Sequence, residues 1–312
     1  MQSIAIGASE IYGYPSPRFQ DLTCVLHNPS SELRTLTSSS FPLSAGWQQV
    51  KIGLSDSYVP KRLSGERHLT QNAIEARNLV KTFGDITALA GLSFTVKQGE
   101  SYGLIGPNGA GKTTALRIIA TLIQPSSGSA EVFGFDVEKE PSEVRRIISY
   151  LPEEAGAYKN LSGWEYLRFM ANFYAMGREK TQSIIEEAAG ISGLGDRLRD
   201  KVKTYSKGMN RRLLIARALM IQPELAILDE PTSGLDVVHA FHVRRIIQNY
   251  AREYNVTVLL SSHNMLEVEF LCDQVALINE GRILIEGTPQ EVKSKYSASN
   301  LEEAFMEATK NG

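Results

Sequence analysis

Short, unbroken apolar runs that stop abruptly at a glycine, an acid or a serine recur along the last three-quarters of this chain. Ser101–Ile105, Leu225–Asp229 and Thr257–Ser262 are three of them. Such runs predict strands covered on both faces, as in a parallel sheet. Leu92, Phe94 and Val96 alternate instead, predicting a half-buried strand of antiparallel type, with Lys97-Gln98-Gly99-Glu100 turning into the first run. Helical spacing appears from Thr114 to Leu122, across 160–204 and from Leu213 to Met220. Ser162-Gly163-Trp164-Glu165 reads as a capping box at the start of the middle stretch. Its stripe of Tyr166, Leu167, Phe169, Met170, Phe173 and Tyr174 reads most simply as core. With Trp164, it holds more aromatic surface than one helix face easily buries. Val275–Asn279 and Arg282–Ile285 predict two short strands around Glu280-Gly281, and Gly287-Thr288-Pro289 breaks the pattern before a helix. The alternation predicts an α/β fold with a mostly parallel core sheet.

Residues 1–72 lack any such period. The first 70 positions hold 12 serines and five of the chain's 12 prolines, so this stretch is expected to be poorly structured. It is either a genuine extension or the product of a mis-assigned start. Ile4–Ala8 is too short for a signal-peptide core, and Cys24 and His27 are too few for a metal site. Deleting Met1–Thr70 is expected to leave activity and melting temperature nearly unchanged. A loss of several degrees would mean that the segment packs on the rest.

Composition narrows the classes. The 312 residues carry a net charge of −2 without a basic block, so no nucleic-acid partner is expected. Cys24 and Cys272 make neither a disulfide framework nor a zinc spacing, which fits a reducing, cytoplasmic setting. No apolar run reaches 18 residues, so the chain is not expected to span a membrane by itself.

The chemistry gathers at the ends of the apolar runs. Gly106-Pro107-Asn108-Gly109-Ala110-Gly111-Lys112-Thr113-Thr114 lies between a predicted strand and a predicted helix. Gly106, Gly109 and Gly111 are expected to curl the backbone through positive φ, so that N–H groups converge on one anion beside the helix's positive end. Lys112 reaches toward β- and γ-phosphates, and the Thr113 hydroxyl suits Mg²⁺. Asp229, at a strand's carboxyl end, is expected to hold the same ion from the other side. Glu230 projects beyond it to orient or deprotonate an attacking water. Ser206 caps the next helix, and Gly208 admits a phosphate close to the backbone. Arg211 and Arg212 read as local structure there. His263 follows the Thr257–Ser262 run.

In this order the segments resemble the nucleotide-binding subunit of ATP-binding cassette (ABC) transporters, from about Ile74 to Thr309. Gly106–Thr114 matches the family's phosphate loop (Walker A), and Leu225–Glu230 its acidic strand (Walker B) with a catalytic glutamate. Tyr205–Met209 stands in the signature, Ser233–Asp236 in the D-loop, and His263 at the switch histidine. The resemblance implies a phosphate-loop NTPase cassette with an antiparallel β-subdomain and an inserted helical subdomain. The cassette would span 73–290, the helical part about 155–205, and 291–312 would form a short helical tail. The tail from Asn300 to Phe305 resembles exporter, ABC-2 or drug-resistance types.

The resemblance also implies ATP and Mg²⁺ as cofactors and a head-to-tail pair, one copy's Lys112 loop facing the other's Ser206 and Gly208, with Asp236 beside them. A separate membrane permease would hold the pair to the inner face of the cell membrane. Phe83 takes the position that stacks on adenine. Two departures stand out. The family's Leu-Ser-Gly-Gly-Gln is here Tyr205-Ser206-Lys207-Gly208-Met209, and its Q-loop glutamine is Glu153, expected to act through the metal. The leading rival, a soluble cassette ATPase of ribosomes or DNA, usually carries two phosphate loops or a long coiled coil. This chain has one loop and 94 positions from Lys112 to Ser206.

Overall fold

In the computed structural model, residues 24–27, 33–36, 72–174 and 178–310 are described. The chain divides into two units, Met1–Val59 and Pro60–Gly312. In the first, β1 (Cys24–His27) pairs antiparallel with β2 (Leu33–Leu36), Cys24 opposite Leu36. Four-residue strands are too short to register as periodicity, so sequence reading missed them. The remainder of the expectation for residues 1–72 lies almost wholly outside the described residues.

The second unit carries two sheets. The larger joins β5 (Ser101–Ile105), β8 (Ile148–Leu151), β9 (Leu225–Asp229), β10 (Thr257–Ser262), β11 (Gln274–Asn279) and β12 (Arg282–Gly287) in the order β12-β11-β5-β10-β9-β8. All its neighbours are parallel except β11 and β12. Its inner strands carry apolar residues at consecutive positions because both faces are covered. Leu225 and Ile227 enter one hydrophobic cluster while Ala226 and Leu228 enter the other. The smaller sheet is antiparallel, β3 (Asn72–Phe83), β4 (Ile86–Lys97), β6 (Ser127–Val132) and β7 (Phe135–Asp136), in the order β4-β3-β6-β7. Alternation in β4 buries Leu92, Phe94 and Val96 as expected.

The helices are α1 (Lys112–Ile119), α2 (Pro141–Ile147), α3 (Gly163–Ala171), α4 (Arg178–Ser192), α5 (Lys207–Leu219), α6 (Val237–Tyr254), α7 (Met265–Leu271), α8 (Pro289–Lys295) and α9 (Leu301–Lys310). Helices α3 and α4, followed by 3-10 turns at Gly195–Arg199 and Val202–Thr204, form the inserted helical region. Its capping box is real. The Glu165 N–H donates to Ser162 Oγ at 3.2 Å and the Ser162 N–H to Glu165 Oε2 at 2.7 Å.

One turn joins the two sheets. Between β11 and β12, the Gly281 N–H donates to Ala110 O at 2.9 Å, and Gly281 O accepts from Ala90 N at 3.0 Å. Gly281 sits at φ +74°, a conformation that favours glycine.

Candidate nucleotide and hydrolysis site

Sheet order places the site. Strand β10 lies between β5 and β9, with Ser262 beside Ile105 and Ser261 beside Asp229. The phosphate loop leaves the end of β5, the acidic pair the end of β9, and His263 the end of β10. All three leave the carboxyl edge of one parallel sheet, where α/β folds bind ligands.

Gly109 and Gly111 take φ values of +83° and +104°, and α1 starts at Lys112. The first N–H groups of a helix lack intrahelical partners, so the loop and helix start present donors to an anion. Gly106 departs from expectation, since its φ is not positive. It is glycine because a Cβ there would lie 2.1 Å from Ile278 O on neighbouring β11. Pro107, Asn108 and Gly109 are exposed, Ala110 is buried, and Thr114 is half-buried in the first turn.

Lys112, 6% exposed, donates from Nζ to Gly106 O at 2.7 Å and Pro107 O at 3.0 Å. Glu230 Oε1 stands 3.6 Å from the same Nζ. Glu230 is itself buried, and its φ of +47° is rare for a non-glycine residue. Such a conformation costs about 1–3 kcal/mol and marks sites where direction matters more than comfort. The Glu230 N–H donates to Ser261 O at 3.2 Å and Ser261 Oγ at 3.1 Å, which helps to hold it. Glu230 Oε2 is 2.7 Å from His263 Nδ1. A carboxylate can only accept, so Nδ1 carries the proton, and Nε2 of this half-exposed ring is left for another partner.

Asp229 is the centre of a hydroxyl cluster. Its Oδ1 accepts from Thr113 Oγ1 at 3.1 Å and Ser261 Oγ at 2.5 Å, and its Oδ2 from Tyr150 Oη at 3.4 Å. One hydroxyl and one carboxylate, both hard oxygen donors, fit Mg²⁺, which is commonly held by one or two carboxylates plus phosphate oxygens. Behind the site, Ser262 Oγ donates to Glu267 Oε2 at 2.7 Å, and burial raises the Glu267 carboxyl above its usual range.

Other expected residues stand elsewhere. Glu153 is exposed, and its Oε1 accepts from Ser233 Oγ at 2.9 Å. That bond ties it to the D-loop rather than to the Thr113–Asp229 pair. Ser206 caps α5 through Met209 N at 3.2 Å. Gly208 is buried, and a Cβ on it would lie 2.0 Å from the His239 ring. Asp236 caps α6 through His239 N at 3.0 Å, and its Oδ2 is 2.7 Å from His239 Nδ1. Backbone and side-chain bonds from His239 lower the Asp236 carboxyl. Lys207 packs on Gly234, where a Cβ would meet Nζ at 2.0 Å. Signature and D-loop are thus interleaved within one chain. Phe83 ends β3, 50% exposed, with Lys81 Nζ 5.1 Å from its ring centre. It is therefore not an ordinary core phenylalanine.

Sequence reading missed Ser261, Tyr150, His239 and above all Arg211. The only advance signal for Ser261 was its place at the end of an apolar run. That Asp229 stands beside it depends on strand order, which periodicity does not give.

A family model described as "ABC transporter" matches residues 89–233. The linearmycin resistance ATP-binding protein LnrL of Bacillus subtilis (strain 168) is 36% identical over 246 residues, 76% of this chain and 79% of the relative. The daunorubicin/doxorubicin resistance ATP-binding protein DrrA of Streptomyces peucetius is 41% identical over 233 residues, 73% of this chain and 69% of the relative. A solved ATP-binding subunit of an ABC transporter superposes with a TM-score of 0.67 at 28% identity, covering 76% of this chain and 99% of that one. A dimeric cassette bound to ADP and Pi in a post-hydrolysis state, 24% identical, shares the fold with a TM-score of 0.62 over 69% of this chain and 98% of that one.

Proposed function

This chain belongs to the ABC transporter family as one of its ATP-binding, ATP-hydrolysing subunits, and from that premise we propose that a pair of copies powers a membrane exporter. The observation that carries the hydrolytic part is the convergence of Lys112, Asp229, Glu230 and His263 at adjacent strand ends. The loop N–H groups and Lys112 bind the phosphates. Thr113 and Asp229 would hold Mg²⁺, which when bound would neutralise phosphate charge. Glu230 takes the proton of the attacking water, and His263, oriented through Nδ1, turns Nε2 toward the γ-phosphate. Phe83 offers its exposed ring to adenine. In the head-to-tail pair, Ser206, Gly208 and Asp236 face the other copy's nucleotide, which requires the His239 ring to move off Gly208.

The cassette spans 73–290 with a tail over 291–312. Export rather than import is favoured by the resistance names of LnrL and DrrA. Among the described residues no helix is long and apolar enough to cross a membrane, so the pore belongs to a separate permease. The helical region offers it a surface. Tyr166 is 3% exposed and belongs to the core, but Tyr158 is 52% and Phe169 42% exposed. Edge-on packing, with ring centres 5.5 Å apart for Tyr158 and Phe169 and 5.1 Å for Phe169 and Phe173, joins these rings into one aromatic platform. Membranes from the native cell, washed at low salt, should retain the protein, and a detergent pull-down should recover a multi-span partner. Co-purification with ribosomes or DNA instead would defeat this reading.

Glu153 Oε1 accepts from Ser233 Oγ, a bond that competes with any approach of this carboxylate to Mg²⁺. Ser233→Ala is therefore expected to lower the Mg²⁺ concentration for half-maximal hydrolysis, and Glu153→Gln to raise it, each by about three- to tenfold. Mg²⁺ titrations at saturating ATP measure both. Coincident curves would mean that Glu153 never meets the ion.

A further inference from the structure

Arg211 lies on α5, five residues past the Ser206 cap, and is buried, 7% exposed. Its guanidinium has five N–H donors. All five are used, and every acceptor is a main-chain carbonyl. Nε donates to Pro231 O at 2.7 Å, and Nη2 to Asp229 O at 2.9 Å and Glu230 O at 2.7 Å. Nη1 donates to Pro152 O at 3.3 Å and Glu153 O at 3.1 Å. One planar cation thus binds three consecutive carbonyls at the end of β9 and two in the turn after β8. Helix α5 brings it there from the signature.

The clustering of these acceptors is informative. Glu230 holds a left-handed backbone, and its side chain can point at Lys112 and His263 only while that backbone stays put. Arg211 grips the carbonyl before Glu230, its own, and the one after. Burial draws the guanidinium down to about 10, while the carboxylates of Glu267, Asp229, Glu153 and Glu230 pull the other way, so it stays charged at neutral pH. Arg212, the next residue, points elsewhere: Nε donates to Ser192 O at 2.9 Å and Nη2 to Gly193 O, at the end of α4. The two arginines strap α5 to the acidic strand on one side and to the helical region on the other.

We propose that Arg211 is a positioning residue for ATP hydrolysis, fixing the Glu230 backbone and the Glu153 turn as one unit and tying both to the signature helix. This rests on Glu230 being the base. A side chain that sets the direction of a base acts on turnover rather than on nucleotide affinity, because the phosphate contacts come from the Lys112 loop.

Steady-state ATPase assays on the full chain test this with Arg211→Met, Arg211→Lys, Arg211→Ala, Arg212→Gln and Glu230→Gln. Arg211→Met is expected to lower kcat about 10²-fold, with KM within about threefold. Arg211→Lys keeps the charge but offers three donors from a single point, so it should fold and still lose about tenfold in kcat. Free guanidinium, well below denaturing concentrations, should restore part of the turnover of Arg211→Ala and none of that of Glu230→Gln. Arg212→Gln should lower melting temperature more than kcat. Wild-type kcat in Arg211→Lys and Arg211→Met, beside a collapse in Glu230→Gln, would overturn the role of Arg211 alone. An equal kcat loss in Arg212→Gln would reduce it to general support of the helix. Undiminished turnover in Glu230→Gln would take down the base assignment and this inference with it.

Discussion

Glu230→Gln is expected to lower ATP turnover by about 10²–10⁴-fold, the range that a positioned general base contributes. Glutamine keeps the length and planar end of the side chain, and its amide oxygen can still accept from His263 Nδ1, now at 2.7 Å from the carboxylate. What it lacks is an oxygen able to take a proton. It also removes the negative charge 3.6 Å from Lys112 Nζ, so ATP affinity should hold or rise. Bound but unhydrolysed nucleotide would then accumulate between paired copies. Phosphate-release assays give the turnover, and size-exclusion chromatography with ATP should show a species of twice the mass. Turnover within a fewfold of the starting protein would shift suspicion to Glu153.

Lys112→Ala is expected to weaken Mg·ATP binding by about 10²-fold, to the edge of detection. A charge-assisted bond contributes roughly 1.5–3 kcal/mol. The loss goes further than that bond, because ATP would bring its charge toward the buried Glu230 carboxylate with no lysine to offset it. Calorimetric titration with Mg·ATP measures it directly, and equal affinities would remove Lys112 from the site. Together the two substitutions separate grip from chemistry, since one spares affinity and the other abolishes it.

Much of the site was legible because each part closes a distinct apolar run. Ser101–Ile105, Leu225–Asp229 and Thr257–Ser262 are strands over the expected residues, and Ser162, Glu165 and Ser206 cap the helices they were expected to cap. What lay hidden depends on which strand stands beside which. Ser261 meets Asp229 because β10 runs between β5 and β9, an order that no spacing along the chain encodes. Arg211 looked like one more basic residue on a helix, and only the fold brings five carbonyls around it. Gly208 has a reason in packing under His239 that its place in a phosphate-binding motif did not suggest. Gly106, likewise, answers to its neighbour Ile278 rather than to a left-handed turn.

The turn at Gly281 bears on how cassettes of this kind are judged competent. A side chain there would put its first carbon 2.7 Å from Leu89 Cα and 2.8 Å from Ala88 O, and the backbone disfavours one in any case. Gly281 is also the residue that bonds Ala110, inside the phosphate loop. The loop's shape is thus partly set by a residue far along the chain, held against strand β4 of the smaller sheet. A mutant at this turn would behave in a genetic screen like a phosphate-loop lesion, although every letter from Gly106 to Thr114 were intact. Scanning a chain for its nine-residue fingerprint therefore tests the presence of the cradle but not whether it is braced.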